Sequence, residues 1–259
     1  RIKSRSEEGD AAFVIVVPKT KPKYGNVIYD EAVRSSAQVR VDLALAYARG
    51  ESIEARGEVG DEDPYNAAMD AIDEYGIDEI IISTHPSSSS SWTRRDLPER
   101  LAAETGLPVE HIVVDIANEG LPFDVTLVLA NRTVAGNTLT DKLKSLADEG
   151  PRRFIVVVPQ DSGEGGAFTA SKRRLRALLN SLDEAGIVAA GMIGDPDPFD
   201  ATMNAVGYFF ISEIVVSTFP GDESKWAAAG LIDRIKRQTG KNVIRVESSA
   251  DEAAPAGRA

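Results

Sequence analysis

Two stretches of the sequence place hydroxyl side chains directly after an apolar run and shortly before a tryptophan. They read STHPSSSSSW (83–92) and STFPGDESKW (217–226), and they contain both tryptophans of the chain. The apolar run predicts a strand that ends at the hydroxyl groups. Ligands of open α/β sheets bind at the carboxyl ends of strands, so Ser217 and Thr218 are candidates for an anion site. The alternative is a turn in which Pro fixes the exit of the strand and the hydroxyls bond to local backbone.

Charged and aromatic residues near the second stretch could complete such a site. Lys225 could neutralise a phosphate, although a basic residue at a helix start is commonly only solvated. Trp226 could stack on an adenine ring, or it could pack in the core or at a domain interface. Asp195 and Asp197 stand beside the start of a predicted helix, where carboxylates cap backbone N–H groups. The same pair could hold Mg²⁺.

The sequence offers little material for acid–base or nucleophilic catalysis. It has no cysteine and only two histidines, His85 and His111. The positions 134 residues further on hold Phe219 and Arg245, so a duplicated catalytic histidine is excluded. The glycine-rich stretch 163–166 lacks the Lys-Ser/Thr of a phosphate loop. We therefore predict no catalytic residue and no dedicated metal site.

The two stretches belong to a tandem duplication. The segment GDEDPYNAAMDAIDEYGIDEIIISTHP (60–86) aligns without a gap to GDPDPFDATMNAVGYFFISEIVVSTFP (194–220), 134 positions further on. Upstream, FVIVVPK (13–19) aligns to FIVVVPQ (154–160) at a distance of 141. We predict a first repeat at 1–119, a second at 120–248 and a flexible tail at 249–259.

Each repeat alternates short β-branched runs with helical patterns, which is typical of a parallel sheet covered by helices on both faces. The predicted strands are 13–17, 79–82, 112–114, 125–130, 154–158, 213–216 and 243–246, and the clearest helices are 139–148, 170–185 and 199–209. The first repeat begins at the equivalent of helix 139–148 and lacks the opening strand. We expect the natural chain to continue upstream by about one strand and one loop.

Composition excludes several classes of function. The net charge of −12 and the pI of about 4.8 argue against nonspecific nucleic-acid binding. No apolar run is long enough to span a membrane, and no signal peptide is visible at the start. The absence of cysteine fits a cytoplasmic protein.

The segment 194–220 resembles the universal stress protein family, and the resemblance extends over both repeats. It implies a Rossmann-like parallel sheet of five strands in each repeat. Family members often pair through their last strands, which predicts an intrachain pair of repeats here, with a homodimer as a further option. Members that bind ATP carry G-x-x-G, nine residues, then G-[S/T] after the fourth strand.

The glycine signature is degenerate in this chain. Its three glycine positions fall on Ser217, Pro220 and Gly230 in the second repeat and on Ser83, Pro86 and Asp96 in the first. Proline offers no N–H to a phosphate, and an aspartate would repel one. The family's Asp after the first strand is Asn131 here, whose amide can still bond to an adenosine group.

The resemblance therefore implies a tandem universal-stress-like binding or regulatory module, connected with a stress response, that takes ATP or another adenine nucleotide in the second repeat. The expected site residues are Asn131, Thr133, Gly194, Asp195, Ser217, Thr218, Lys225, Trp226 and Gly230. Mg²⁺ could accompany the nucleotide. Two alternatives stay open: a structural or interaction protein with closed pockets, and a weak nucleotide hydrolase.

Overall fold

The second half of the chain forms a five-stranded, fully parallel sheet. The structure, a computed structural model, describes residues 1–9, 11–21, 24, 30–86, 96–131, 137–161, 167–220, 226 and 230–248. The strands are β5 (Asp124–Leu129), β6 (Arg152–Pro159), β7 (Ala189–Gly194), β8 (Glu213–Thr218) and β9 (Asn242–Glu247). Their order is β7-β6-β5-β8-β9. The connecting helices are α6 (Asn137–Asp148), α7 (Ala167–Glu184), α8 (Pro198–Tyr208) and α9 (Leu231–Thr239).

Helices cover both faces of this sheet because its central strands are apolar on both sides. The side chains of β6 from Phe154 to Pro159 are all buried. Alternate residues of β6 point to opposite faces. Phe154, Val156 and Val158 join a core with Leu143 of α6 and Leu178 of α7.

The opposite face of the same sheet packs against α8 and α9. A Cβ atom at Gly194, the last residue of β7, would lie 2.6 Å from the Cβ of Ala201 in α8 and 2.8 Å from Val157 Cγ1. Leu231 and Ile235 of α9 are also buried. The predicted α/β class, with a parallel sheet between two helical layers, is confirmed for this half.

The first half repeats the elements but splits the sheet in two. Its elements are α1 (Ile2–Glu8), β1 (Phe13–Pro18), α2 (Asp30–Gly50), β2 (Ala55–Gly60), α3 (Pro64–Tyr75), β3 (Ile80–Thr84), α4 (Asp96–Thr105), β4 (Val109–Val113) and α5 (Ile116–Glu119). Among the strands that the structure describes, β1 pairs with β2 alone and β3 pairs with β4 alone, both in parallel. The described residues of this half hold no counterpart of β5, the strand that joins β6 to β8 in the second half.

The described strands of the first half are less buried than their counterparts in the second half. All six residues of β1 are half-buried, whereas their counterparts in β6 are buried. Strand β3 has one buried residue, Thr84, whereas five of the six residues of β8 are buried.

Contacts divide the chain into two compact units. The first comprises Arg1–Thr20 and Ala44–Leu121, and the second comprises Lys21–Leu43 and Pro122–Ala259. The second unit thus includes a segment from the sequence of the first repeat. Within the second unit, Asn204 of α8 accepts a hydrogen bond from the Tyr24 N–H and donates one to the Tyr24 carbonyl. The repeat boundaries at 119 and 248 stay predictions.

Candidate functional site

The carboxyl end of the second unit's sheet brings together residues from β5 to β8. In the order β7-β6-β5-β8-β9, the chain reverses its direction of progress between β5 and β8. Such a reversal opens a crevice outside the carboxyl ends of the two strands, where open α/β sheets bind their ligands. Asn131 lies two residues beyond the end of β5, and Ser217 and Thr218 end β8.

Asn131 is the predicted site residue with an unused polar atom. Its Nδ2 donates to Asp161 Oδ1 at 3.4 Å, just beyond the end of β6. Its Oδ1 is buried and accepts no hydrogen bond from the described residues. A buried acceptor without a donor is uncommon in folded proteins, and a bound ligand is one source of the donor.

The two hydroxyls at the end of β8 are buried and directed to β9. Thr218 Oγ1 accepts a hydrogen bond from Arg245 Nε at 3.0 Å, and Ser217 Oγ lies 3.4 Å from Ser248 Oγ. The exposed fraction is 1% for Ser217 and 2% for Thr218. These hydroxyls therefore join the ends of two strands in the structure.

The first unit repeats the contact of the threonine hydroxyl, with a histidine in place of the arginine. Thr84, the counterpart of Thr218, lies with its Oγ1 2.9 Å from His111 Nε2, and His111 is the counterpart of Arg245. His85 Nδ1 lies 3.0 Å from the Val114 carbonyl oxygen. Both histidines thus contact neighbouring polar groups at the end of the β3–β4 pair. A contact between a threonine hydroxyl and a basic side chain of the next strand occurs in both repeats.

Gly194 and Asp195 form the connection from β7 to α8. Gly194 is required by the close approach of α8, since Ala201 leaves no space for a side chain at that position. Asp195 Oδ1 accepts a hydrogen bond from the Asp197 N–H at 2.9 Å. Asp197 in turn caps α8 by accepting from the N–H groups of Phe199 and Asp200. The capping interpretation is confirmed for Asp197, and Asp195 holds the N–H of that cap residue.

The carboxylates at the start of α8 form a negative cluster. Burial raises the pKa of Asp200, and the charges of Asp197 and Asp195 raise it further, while Arg234 opposes them. Within the described residues, no group of three or more His, Asp or Glu side chains has an arrangement suited to a metal ion. The same turn in the first unit uses Asp61, which accepts from the Asp63 N–H, and this hydrogen bond lowers its pKa.

The remaining predicted site residues lie between β8 and α9 or outside the described residues. Gly230 precedes α9 in a left-handed conformation with φ of 63°, which glycine adopts without strain. Trp226 is half-buried. Thr133 and Lys225 lie outside the described residues, as do Trp92, the glycine-rich stretch 163–166 and the tail from 249.

Sequence reasoning missed the charged pair beside Asn131. Arg174 of α7 contacts Asp161 Oδ2 at 2.5 Å through Nη2, and the same nitrogen donates to Ser171 Oγ at 3.1 Å. The Arg174 side chain is 10% exposed. A signal was present, because the run KRRLR (172–176) places Arg174 three residues after the buried Ser171 and therefore on the same helix face.

Comparison with known proteins places several universal stress proteins among the similar solved structures. No family model and no curated protein matches the chain. A universal stress protein from Archaeoglobus fulgidus is 12% identical over 49% of this chain and 100% of its own, with a TM-score of 0.39. Another from Archaeoglobus fulgidus DSM 4304 is 14% identical over 96% of this chain and 90% of its own, also at 0.39.

A third similar structure contains a nucleotide. It is a universal stress protein family protein from Arabidopsis thaliana with AMP bound, 15% identical over 52% of this chain and 97% of its own, with a TM-score of 0.37.

In the part of this chain that the structure describes, no helix has the length and apolar character needed to cross a membrane.

Proposed function

We propose that the second unit binds an adenine nucleotide and that the chain acts as a universal-stress-like binding or regulatory module in the stress response. The observation that carries the proposal is the buried Oδ1 of Asn131, which has no hydrogen-bond partner among the described residues and lies at the reversal point of the sheet. This atom is an acceptor at the position where the resemblance expects contact with adenosine. Gly194 and Asp195 would line the ribose side. Ser217, Thr218 and Gly230 would lie toward the phosphates.

Binding without dedicated catalysis suits the groups at this edge of the sheet. Thr218 is engaged with Arg245, and the aspartates before α8 cap backbone N–H groups. A nucleophile or general base needs a free polar group within reach of the substrate. We therefore propose that a nucleotide is retained rather than hydrolysed. A phosphate-release assay with ATP would detect a weak hydrolase, and turnover that falls in an Asn131→Ala variant would contradict this part of the proposal.

Isothermal calorimetry of the full chain with AMP, ADP and ATP, each with and without Mg²⁺, tests the binding. The wild-type chain should release or absorb heat with at least one of them. Asn131→Ala should weaken binding about tenfold, the value of one hydrogen bond of about 1.4 kcal/mol. Asn180→Ala changes the same residue type at an exposed position of α7 and serves as the matched control. Absence of heat at millimolar ligand would contradict the proposal.

A second candidate function is that of a structural or interaction protein. The closed contacts of Ser217 with Ser248 and of Thr218 with Arg245 favour it, because they use hydroxyls that a phosphate would otherwise engage. This function predicts no nucleotide binding by either repeat. The proposed intrachain pair of repeats and a homodimer belong to both functions, and sedimentation of the full chain would distinguish monomer from dimer.

A further inference from the structure

A chain of polar contacts fixes the Asn131 side chain at the carboxyl end of the sheet. Ser171 Oγ accepts from the Asp161 N–H at 3.3 Å and from Arg174 Nη2 at 3.1 Å. Arg174 then contacts Asp161 Oδ2, and Asp161 Oδ1 accepts from Asn131 Nδ2. Asp161 is thereby held from its backbone and its side chain, and it presents one carboxylate oxygen to Asn131.

The carboxylate determines which way the Asn131 amide is turned. A carboxylate only accepts hydrogen bonds, so the amide must direct its NH₂ group to Asp161. The reverse orientation would place the amide oxygen against a negatively charged oxygen. The 3.4 Å contact is long, but the charge of Asp161 gives the two orientations very different energies. The Oδ1 atom is consequently directed away from Asp161, buried and without a partner among the described residues.

Arg174 holds the Asp161 carboxylate in place. Its side chain is nine-tenths buried, and its Nε has no hydrogen-bond partner within the described part of the chain. A buried guanidinium needs a nearby anion, and Asp161 supplies it. Loss of either partner would leave an uncompensated charge beside Asn131.

The first repeat lacks this cluster. The counterpart of Asp161, at a distance of 141 positions, is Thr20, and the counterpart of Arg174, at 134, is Arg40. The Arg40 guanidinium lies instead over the rings of Tyr208 and Phe209, at 5.7 and 5.9 Å from their centroids. A role for the cluster in ligand recognition would therefore be confined to the second repeat.

We propose that Asp161 and Arg174 are positioning residues that lock Asn131 as a hydrogen-bond acceptor, so that the site selects the 6-amino group of adenine against the 6-oxo group of hypoxanthine. This inference rests on the proposed nucleotide binding. An amino group donates to Oδ1, whereas an oxo group would bring two acceptors together in a buried place. Sites built to bond a particular polar group discriminate strongly against analogues that lack it.

Calorimetric titration of the full chain with AMP and with IMP tests the inference. The two ligands share ribose and phosphate, so their affinity ratio isolates the base. The wild-type chain should prefer AMP by about tenfold to a hundredfold, since mismatching a buried acceptor costs more than losing one hydrogen bond. Equal affinities would overturn the inference while leaving the proposed function intact. Failure of AMP and IMP to bind would overturn the inference, and failure of ADP and ATP to bind as well would overturn the proposed function.

Asp161→Asn supplies the variant arm. The new amide can present either a donor or an acceptor to Asn131, so both orientations become accessible and the AMP/IMP ratio should fall to within about threefold of one. If the role of Asp161 were purely structural, the variant would bind AMP and IMP more weakly by the same factor. The AMP/IMP affinity ratio would then be unchanged, which would overturn the inference. Arg174→Lys retains the positive charge and should preserve most of the wild-type ratio. Circular dichroism checks that each variant is folded. The comparison of AMP with IMP on the wild-type chain tests the inference even if a variant fails to fold.

Discussion

Gly194→Ala should destabilise the second unit because α8 approaches β7 too closely for a methyl group. The new Cβ would lie 2.6 Å from Ala201 Cβ and 2.8 Å from Val157 Cγ1. Carbon atoms in contact are ordinarily 3.5–4.0 Å apart, so α8 would have to move by about 1 Å. Overpacking of this kind costs about 1–3 kcal/mol of unfolding free energy. The position has no left-handed φ, so the cost is packing alone.

The assay is urea unfolding followed by circular dichroism, with hydrogen exchange of peptides from β7 and α8 as the local readout. Exchange is needed because a chain with two units need not unfold in one step. Gly207→Ala in α8 is the matched control, since a Cβ atom at this position would meet nothing within 4 Å. This control should stabilise the chain by up to about 1 kcal/mol.

The clash has a specific partner, so it should also have a specific remedy. Ala201→Gly removes the atom at 2.6 Å, and the double variant should be more stable than the sum of the two single changes predicts. Gly60→Ala makes the same contacts with Ala67 and Val16 and should behave alike in the first unit. A Gly194→Ala chain as stable as the wild type, or no coupling to Ala201, would refute the reasoning.

Three further predictions concern stability. The guanidinium carbon of Arg100 lies 3.5 Å from the ring centroid of Tyr65, and that of Arg234 lies 3.9 Å from the ring centroid of Phe199. Double-mutant cycles should give a coupling energy of about 0.5–1 kcal/mol for each of these cation–π pairs. Zero coupling in both cycles would be contrary evidence. Hydrogen exchange should be faster in β1 and β3 than in β6 and β8, because the first-unit strands are less buried, and equal protection would disprove this. Burial raises the pKa of Tyr208 to about 12, above that of an unfolded tyrosine, so its contribution to stability is complete below pH 10 and is lost as the pH rises toward 12. Tyr208→Phe should reduce this loss of unfolding free energy between pH 9 and pH 11.5. An unchanged loss would contradict the assignment.

Much of the fold could be predicted from the sequence because its signals are local and occur twice. The apolar runs that became β5, β6, β8 and β9 are β-branched and bounded by turns, and the Asp-Pro motif before α8 caps that helix as expected. Strands β2 (ARGEVG) and β7 (AAGMIG) were missed. They are poor in β-branched residues because helices pack closely on them, as at Gly191, where a Cβ would lie 2.5 Å from Leu175 Cδ1.

The site was only partly predictable because its geometry depends on contacts between distant segments. Sequence reasoning selected Ser217 and Thr218 from their position after a strand, but it could not show that Arg245 and Ser248 occupy their hydroxyls. The partner of Asn131 is 30 residues away at the end of another strand. Neighbouring strands of a parallel sheet bring such residues together, and a single sequence gives no measure of that proximity.

Hydrogen exchange of the full chain with and without saturating AMP tests the central claim most directly, because it locates the ligand. The account predicts added protection at 127–131, 192–195 and 217–220 in the second unit, and none at the equivalent first-unit segments 58–61 and 83–86. Protection that appears only in the first unit, or in neither unit, would contradict the assignment of nucleotide binding to the second repeat.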